Sequence, residues 1–564
     1  VSTEGFLDFC KNNIVETCLF MLTILLLIPL VVLILLGVTS REHYRLQRLL
    51  VLVGVLMQMS VALFLYVHYP ASSNGKTLAF EEQYEWFRMQ AGDWGIIRAD
   101  YHVGLDGLSL SMLILTAVVF LLASVASWHV KEKSKGYYAL FALLMLSVPA
   151  CFVVRDYLVF YVFFEFMLLP MYFLIGLWGG ERREYAAIKF FIYTLIGSLF
   201  ILIVFIGGLV YTFDPVATAM EAGLITSPDD YSPSLLDQVQ AVVRQQPEAV
   251  VHRFDIALLS MPEAYIEGSV LSVGHSLRLW AFWLLVIGFL IKLPAVPFHT
   301  WLPDAHVEAP TPISVILAGV LLKVGGYGLF RFAIPMFPDL WQANSEWMAG
   351  IAAVSIIYGA MNALAMDDLK KMIAYASVSH MGYVLLGAAS MTEEGLQGAI
   401  FQMMSHGVLS SGLFLLAGVL YDRTHDRLIS HYGGLWQRMP RFSVFSFLVM
   451  FASLGMPIFS AFIGEVFTLL GGLRSAWVHK GWVAAAALGI VLSAAYFLWC
   501  LRRMFMGEYW LARPEYDKQL TDVSRREFFL LSFCVLLSVF WGVYPAVLFD
   551  MAQDSVEMLL RLIG

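Results

Sequence analysis

The sequence predicts an all-α integral membrane protein of about fourteen transmembrane helices, two of them broken by proline. Three observations carry that expectation. Of 564 residues, 60% are hydrophobic and only 14% charged, too little charge to cover a water-soluble protein of this size. The apolar residues fall in long blocks, and mean hydropathy is +0.75. Strand-type alternation is missing, which argues against a barrel.

The first block, Val15 to Gly37, carries one charge, Glu16, at its edge. It is long enough to cross a bilayer and too long for a cleaved signal peptide. Further helices are expected near 49–69, 108–128, 137–154, 157–178 and 186–212. After a polar stretch they resume near 281–302, 312–332, 347–366, 370–390, 396–421, 442–472, 482–506 and 527–549. Prolines interrupt two of them, in IKLPAVPFHTWLP at 291–303 and GMPIFSAFIGE at 455–465. An echo also links the halves: Asp156 to Gly176 and Asp367 to Gly387 have the same spacing, and a small-residue helix follows each. Paired broken helices around a midplane site are a transporter pattern. The expected units are 1–135, a first repeat at 136–335, a second at 345–506, and a final helix within 507–564.

Loop charge sets the orientation. Arg41, Arg45, Arg48, Lys131, Lys133, Lys135, Arg182, Arg183, Lys370 and Lys371 fall on one side, with the basic stretch Arg502–Arg526. The acidic stretches Glu81–Asp106 and Asp214–Glu267 fall on the other. Both termini are expected outside the cytoplasm. Residues 214–279 read as a polar surface insertion with room for one short helix, a partner-binding role being the alternative.

Several function classes are excluded. The five cysteines (Cys10, Cys18, Cys151, Cys500, Cys534) form no CxxC pair, against an iron–sulfur cluster, structural zinc or a disulfide framework. No GxGxxG or GxxxxGK[ST] motif supports a nucleotide. A net charge of −8 argues against nucleic acid.

The informative residues are ionisable groups inside helices, each costing roughly 2.5–3.5 kcal/mol at the bilayer centre. Glu165 stands alone in VFYVFFEFMLLP, paired structurally with a lysine or acting in transfer. Lys292 precedes Pro294 and Pro297, where broken backbone admits water. Lys323 lies in a helix lined with Gly319, Gly325, Gly326 and Gly328, which favours burial over snorkelling to a helix end. Glu465 occupies the second broken helix as a counterpart to Lys292. His380 and His406 sit among Ser377, Ser379, Gln402, Ser405 and Ser410, with core histidines or haem ligands as alternatives. Lys189 is nearer a cytoplasmic end, where snorkelling competes. His299, Asp304, His306 and Glu308 are expected at the lipid–water boundary. Such a row of couplable sites suits proton movement, with the energy coming from an ion gradient or a partner.

The stretch LIKLPAVPFHTWLPDAHVEAPTPISVILAGVLLKVGGYGLFRF (290–332) resembles the signature of the antiporter-like subunits of respiratory complex I. FFEFMLLPMYFLIGLWGG (163–180), AAIKFFIYT (186–194), YASVSHMGYVLLG (375–387) and GMPIFSAFIGE (455–465) resemble it too, and the likeness spans most of 105–505. Among those subunits it is most similar to the M type, which carries glutamate at the Glu465 position where the L and N types carry lysine. The resemblance implies two inverted five-helix repeats. It implies proton translocation through Glu165, Lys189, Lys292, Lys323, His380, His406 and Glu465. It also implies no cofactor on this chain, with FMN and iron–sulfur clusters in partner subunits, and a bacterial inner membrane. A multi-chain cation/proton antiporter or a membrane hydrogenase-type complex is the alternative. The insertion and the long loop at 70–107 exceed the family pattern.

Overall fold

The computed structural model describes residues 20–73 and 78–563. Cys10, Glu16, Cys18 and the expected start of the first helix lie outside them. Twelve helices among the described residues are long and apolar enough to cross a membrane. In order they begin with α1 (Met21–Val38) and α2 (Tyr44–Ser73). A β-hairpin follows, β1 (Ala79–Gln90) and β2 (Ile96–Leu105), then α3 (Gly107–Ala126), α4 (Ser134–Val153), α5 (Tyr157–Trp178) and α6 (Arg183–Tyr211). The insertion supplies α7 (Pro215–Glu221), α8 (Leu236–Gln245) and β3 (Val251–Arg253).

The first broken helix is α9 (Arg278–Lys292) and α10 (Trp301–Glu308), and α11 (Thr311–Met336) follows it. Then come α12 (Ser345–Ala365), α13 (Leu369–Ser390) and α14 (Glu393–Thr424). The second broken helix is α15 (Pro440–Ser453) and α16 (Ser460–Arg474), before α17 (Lys480–Phe505), α18 (Arg525–Val543) and α19 (Ala546–Ile563).

Side-chain caps set many of the boundaries. Asp106 accepts from the Ser109 amide, Asp156 from Leu158 and Val159, and Asp368 from Lys370 and Lys371. Each satisfies helix N–H groups that hydrocarbon would leave orphaned. Packing then sorts the helices: α11 and α14 are wholly buried within the bundle, whereas α1, α2, α6 and α18 leave most of their surface outward. The basic loops gather at one end, where Lys135 donates to the Gly37 and Thr39 carbonyls and Trp178 to that of Glu132.

Three expectations change. The insertion holds two helices and a strand, and β3 pairs in parallel with β2, so the long loop and the insertion share one three-stranded sheet. Arg253 locks the two, with Asp100 and Asp214 each at 2.7 Å. The last membrane helix ends at Val543, and Pro545 separates it from α19. That amphipathic helix lies against α3, where a Cβ on Gly107 would stand 1.9 Å from the Met551 carbonyl.

Candidate functional site

The two wholly buried helices, α11 and α14, carry the central pair of the titratable groups, Lys323 and His406. In α11 the helix widens into a π-turn over Leu317–Leu321, a device common at functional sites. This turn presents the Ala318 carbonyl to Lys323, whose Nζ donates to it at 2.6 Å. The same ammonium meets Nδ1 of His406 at 2.7 Å, and Lys323 has no exposed surface.

Small residues make that meeting possible. Gly319 lies one turn before Lys323 and Gly407 follows His406. A Cβ at Gly407 would stand 2.8 Å from the Gly319 carbonyl. The close approach of α11 and α14 therefore depends on glycine on both helices.

From His406 the row continues to His380 on α13, with ring centroids 5.6 Å apart. A cavity of about 10 Å³ adjoins both, lined by Ser377, Gln402, Ser410 and Ser453 among others, close to the size of one water site. Nδ1 of His380 then faces Oε1 of Glu465 at 3.3 Å. Glu465 is buried on α16, just past the break. Gly455 sits in the break at φ +80°, and a Cβ there would lie 2.4 Å from Oε2 of Glu465.

Lys292 and Glu165 form a second group. Lys292 ends α9 at the first break, and its buried Nζ stands 4.9 Å from the centroid of the Phe164 ring. Gly325 of α11 packs on that turn, 2.6 Å from its would-be Cβ to the Leu293 amide. Among the described residues Glu165 and Lys292 form no ion pair within 4.0 Å. Glu165 is half-buried, at the edge of the bundle, with Tyr161 and Ser198 beside its carboxyl.

Lys189 does not snorkel freely, since its Nζ is held by Asp304 at 2.7 Å. His306 departs from the boundary position expected for it. It is fully buried and stacked on Phe414, with ring centroids 4.4 Å apart, and His299 is buried beside Tyr358 and Tyr375. Glu308 is buried as well, accepting from the Arg182 amide.

Two features escaped the sequence reading. Lys370 looked like a loop charge, yet it is buried on the first turn of α13 and donates to the Ala309 carbonyl at 2.9 Å. Asp106, Arg155 and Arg331 form a buried charge cluster tying the hairpin end of α3 to α11. Arg331 lay in the quoted signature, and its position two turns after Lys323 was the available signal.

This architecture defines a class: a polytopic helical membrane protein with ionisable groups buried in its packed interior, an arrangement typical of ion-translocating proteins. A family described as "NADH:quinone oxidoreductase/Mrp antiporter, TM" matches residues 155–222 and 259–493. The chain belongs to that family. It is 35% identical over 543 residues to "NADH-quinone oxidoreductase subunit M" of Rickettsia prowazekii, covering 96% of this chain and 98% of that one. It also matches a chain of "Respiratory complex I from Thermus thermophilus with bound NADH" at TM-score 0.75 and 29% identity, covering 96% of this chain and all of the other. A chain of the Mrp complex from a Dietzia strain shares the fold at TM-score 0.72, with 18% identity over 97% of this chain and all of the other.

Proposed function

We propose that this chain is the M-type proton-translocating subunit of a bacterial NADH:quinone oxidoreductase, multi-pass in the cytoplasmic membrane with its hairpin side outward. What supports the proton path above all is the buried contact between Lys323 and His406. In one elementary step the ammonium N–H bond breaks and the proton moves to Nδ1, leaving a neutral amine and an imidazolium. The new charge beside His380 favours transfer onward toward Glu465, and a proton arriving at Lys323 resets the pair. Glu165 and Lys292 act as the other half of the row, with Lys189 and Asp304 at its inner margin. The two broken helices support a reading of two inverted repeats, one for each group.

Moving one charge against 100 mV takes about 2.3 kcal/mol. Redox chemistry on FMN and iron–sulfur clusters in partner subunits supplies it, with no redox centre on this chain. Purifying the tagged chain from membranes tests this, since flavin and iron–sulfur subunits should come with it. Their loss from an intact preparation refutes the assignment and favours a multi-chain antiporter, whose fold the Mrp likeness shares. Lys323→Ala and Glu165→Ala should lower NADH-driven pumping in assembled complex. Unchanged pumping in both refutes the path.

A further inference from the structure

Residues 223–258 of the insertion fall between the two stretches that the family matches. They help enclose a cavity of about 300 Å³ at the hairpin end of α6, within the range of small-ligand sites. Its walls include Trp94, Leu209, Val210, Val243, Pro247 and Ile266. All but Trp94 are partly exposed, and Trp94 is largely so. The one ionisable wall residue, His252, already bonds the Thr212 carbonyl through Nδ1 at 2.6 Å. The lining therefore favours hydrocarbon.

The outward face of α6 leads to this cavity. Ile188, Ile192, Ile196, Leu199, Ile203 and Ile206 are each more than two-fifths exposed and recur every three or four residues. They form one apolar stripe along the helix. Continued by one turn, the stripe reaches Leu209 and Val210 in the cavity wall. Arg244 and Glu267, next in sequence to the wall residues Val243 and Ile266, form an exposed ion pair outside the lining. Trp94 on the hairpin is the residue type enriched at membrane–water interfaces.

We propose that the cavity takes an acyl chain of a phospholipid from the hairpin-side leaflet. The chain of the lipid lies along the α6 stripe and turns up into the cavity under the insertion. The site is separate from the titratable row and does not depend on it.

The test uses the purified complex in bilayer discs doped with phosphatidylethanolamine carrying a diazirine near the end of one acyl chain. After irradiation, peptides are mapped by mass spectrometry. Adducts are expected on the Val210 and Val243 segments as well as on Ile196–Ile206. Val243→Trp fills the cavity and should cut the cavity adducts about tenfold while sparing the stripe. If that variant loses protease resistance in the insertion, Val243→Met narrows the same space and should cut them by about half. Three results overturn the proposal: stripe adducts without cavity adducts in the parent protein, cavity labelling undiminished in a folded filling variant, or cavity labelling by a diazirine prenylquinone but not by the phospholipid.

Discussion

Gly455→Ala tests whether the geometry around Glu465 governs transfer. Gly455 has φ +80°, in the left-handed region where alanine costs about 1–2 kcal/mol. The added methyl would begin 2.4 Å from Oε2 of Glu465, whereas ordinary contact starts near 3.4 Å. The carboxylate or the break must therefore yield by roughly 1 Å, and Glu465 faces His380 across only 3.3 Å. A misplacement of that size can lower a rate by up to about a hundredfold. We expect pumping to fall at least about tenfold, with a stability loss small enough for assembly. NADH-driven quenching of an acridine dye in inverted vesicles reports pumping, and NADH oxidation by an artificial acceptor reports assembly. Gly223→Ala supplies the control, because Gly223 has φ +72° with nothing within 4 Å of a Cβ. It carries the backbone strain without the collision and should pump normally. Pumping by assembled Gly455→Ala within about twofold of the parent would refute the reasoning.

Three further outcomes follow from the same contacts. Arg253→Ala leaves Asp214 without its ion-pair partner and Asp100 with Arg98 and Gln83 alone, and should loosen the insertion by about 3 kcal/mol, seen as faster proteolysis within 214–279. Burial disfavours the charged form of His102, but hydrogen bonds and charge from Asp255 and Glu81 outweigh it and raise its pKa above the usual imidazole value. Its stabilisation is therefore complete below about pH 6.5 and is lost as pH rises through the raised folded-state value. Once divided by the intrinsic base-catalysed rate, hydrogen exchange around Asp255 should accelerate across that window, and His102→Gln should remove that excess. Lys370→Ala leaves the buried Ala309 carbonyl without this donor and should cost about 1–3 kcal/mol, read as a lower melting temperature of the detergent-solubilised chain.

The sequence by itself determined what lipid demands of every residue. A segment such as Leu22–Val38 must be helical because hydrocarbon offers its backbone no partner, so composition and length locate it. The same demand made Lys323, Lys292, His380, His406 and Glu465 legible, since an ionisable group in such a segment stands out against its neighbours. The breaks were legible too, because proline lacks the N–H that would continue the helix.

Only the tertiary structure decided which of these groups meet. Lys323 and His406 are 83 residues apart, and their contact rests on glycine at 319 and 407 and on a π-turn that no periodicity announces. Glu165 read in sequence as either a lysine's structural partner or a transfer group, and among the described residues it forms no ion pair within 4.0 Å with Lys292. Lys370 read as a solvated loop charge because its burial comes from α10 and α14, distant in the chain. The shared sheet of hairpin and insertion was likewise hidden. β2 and β3 are separated by more than a hundred residues, and water on that face leaves the sequence free of the constraint that hydrocarbon imposes.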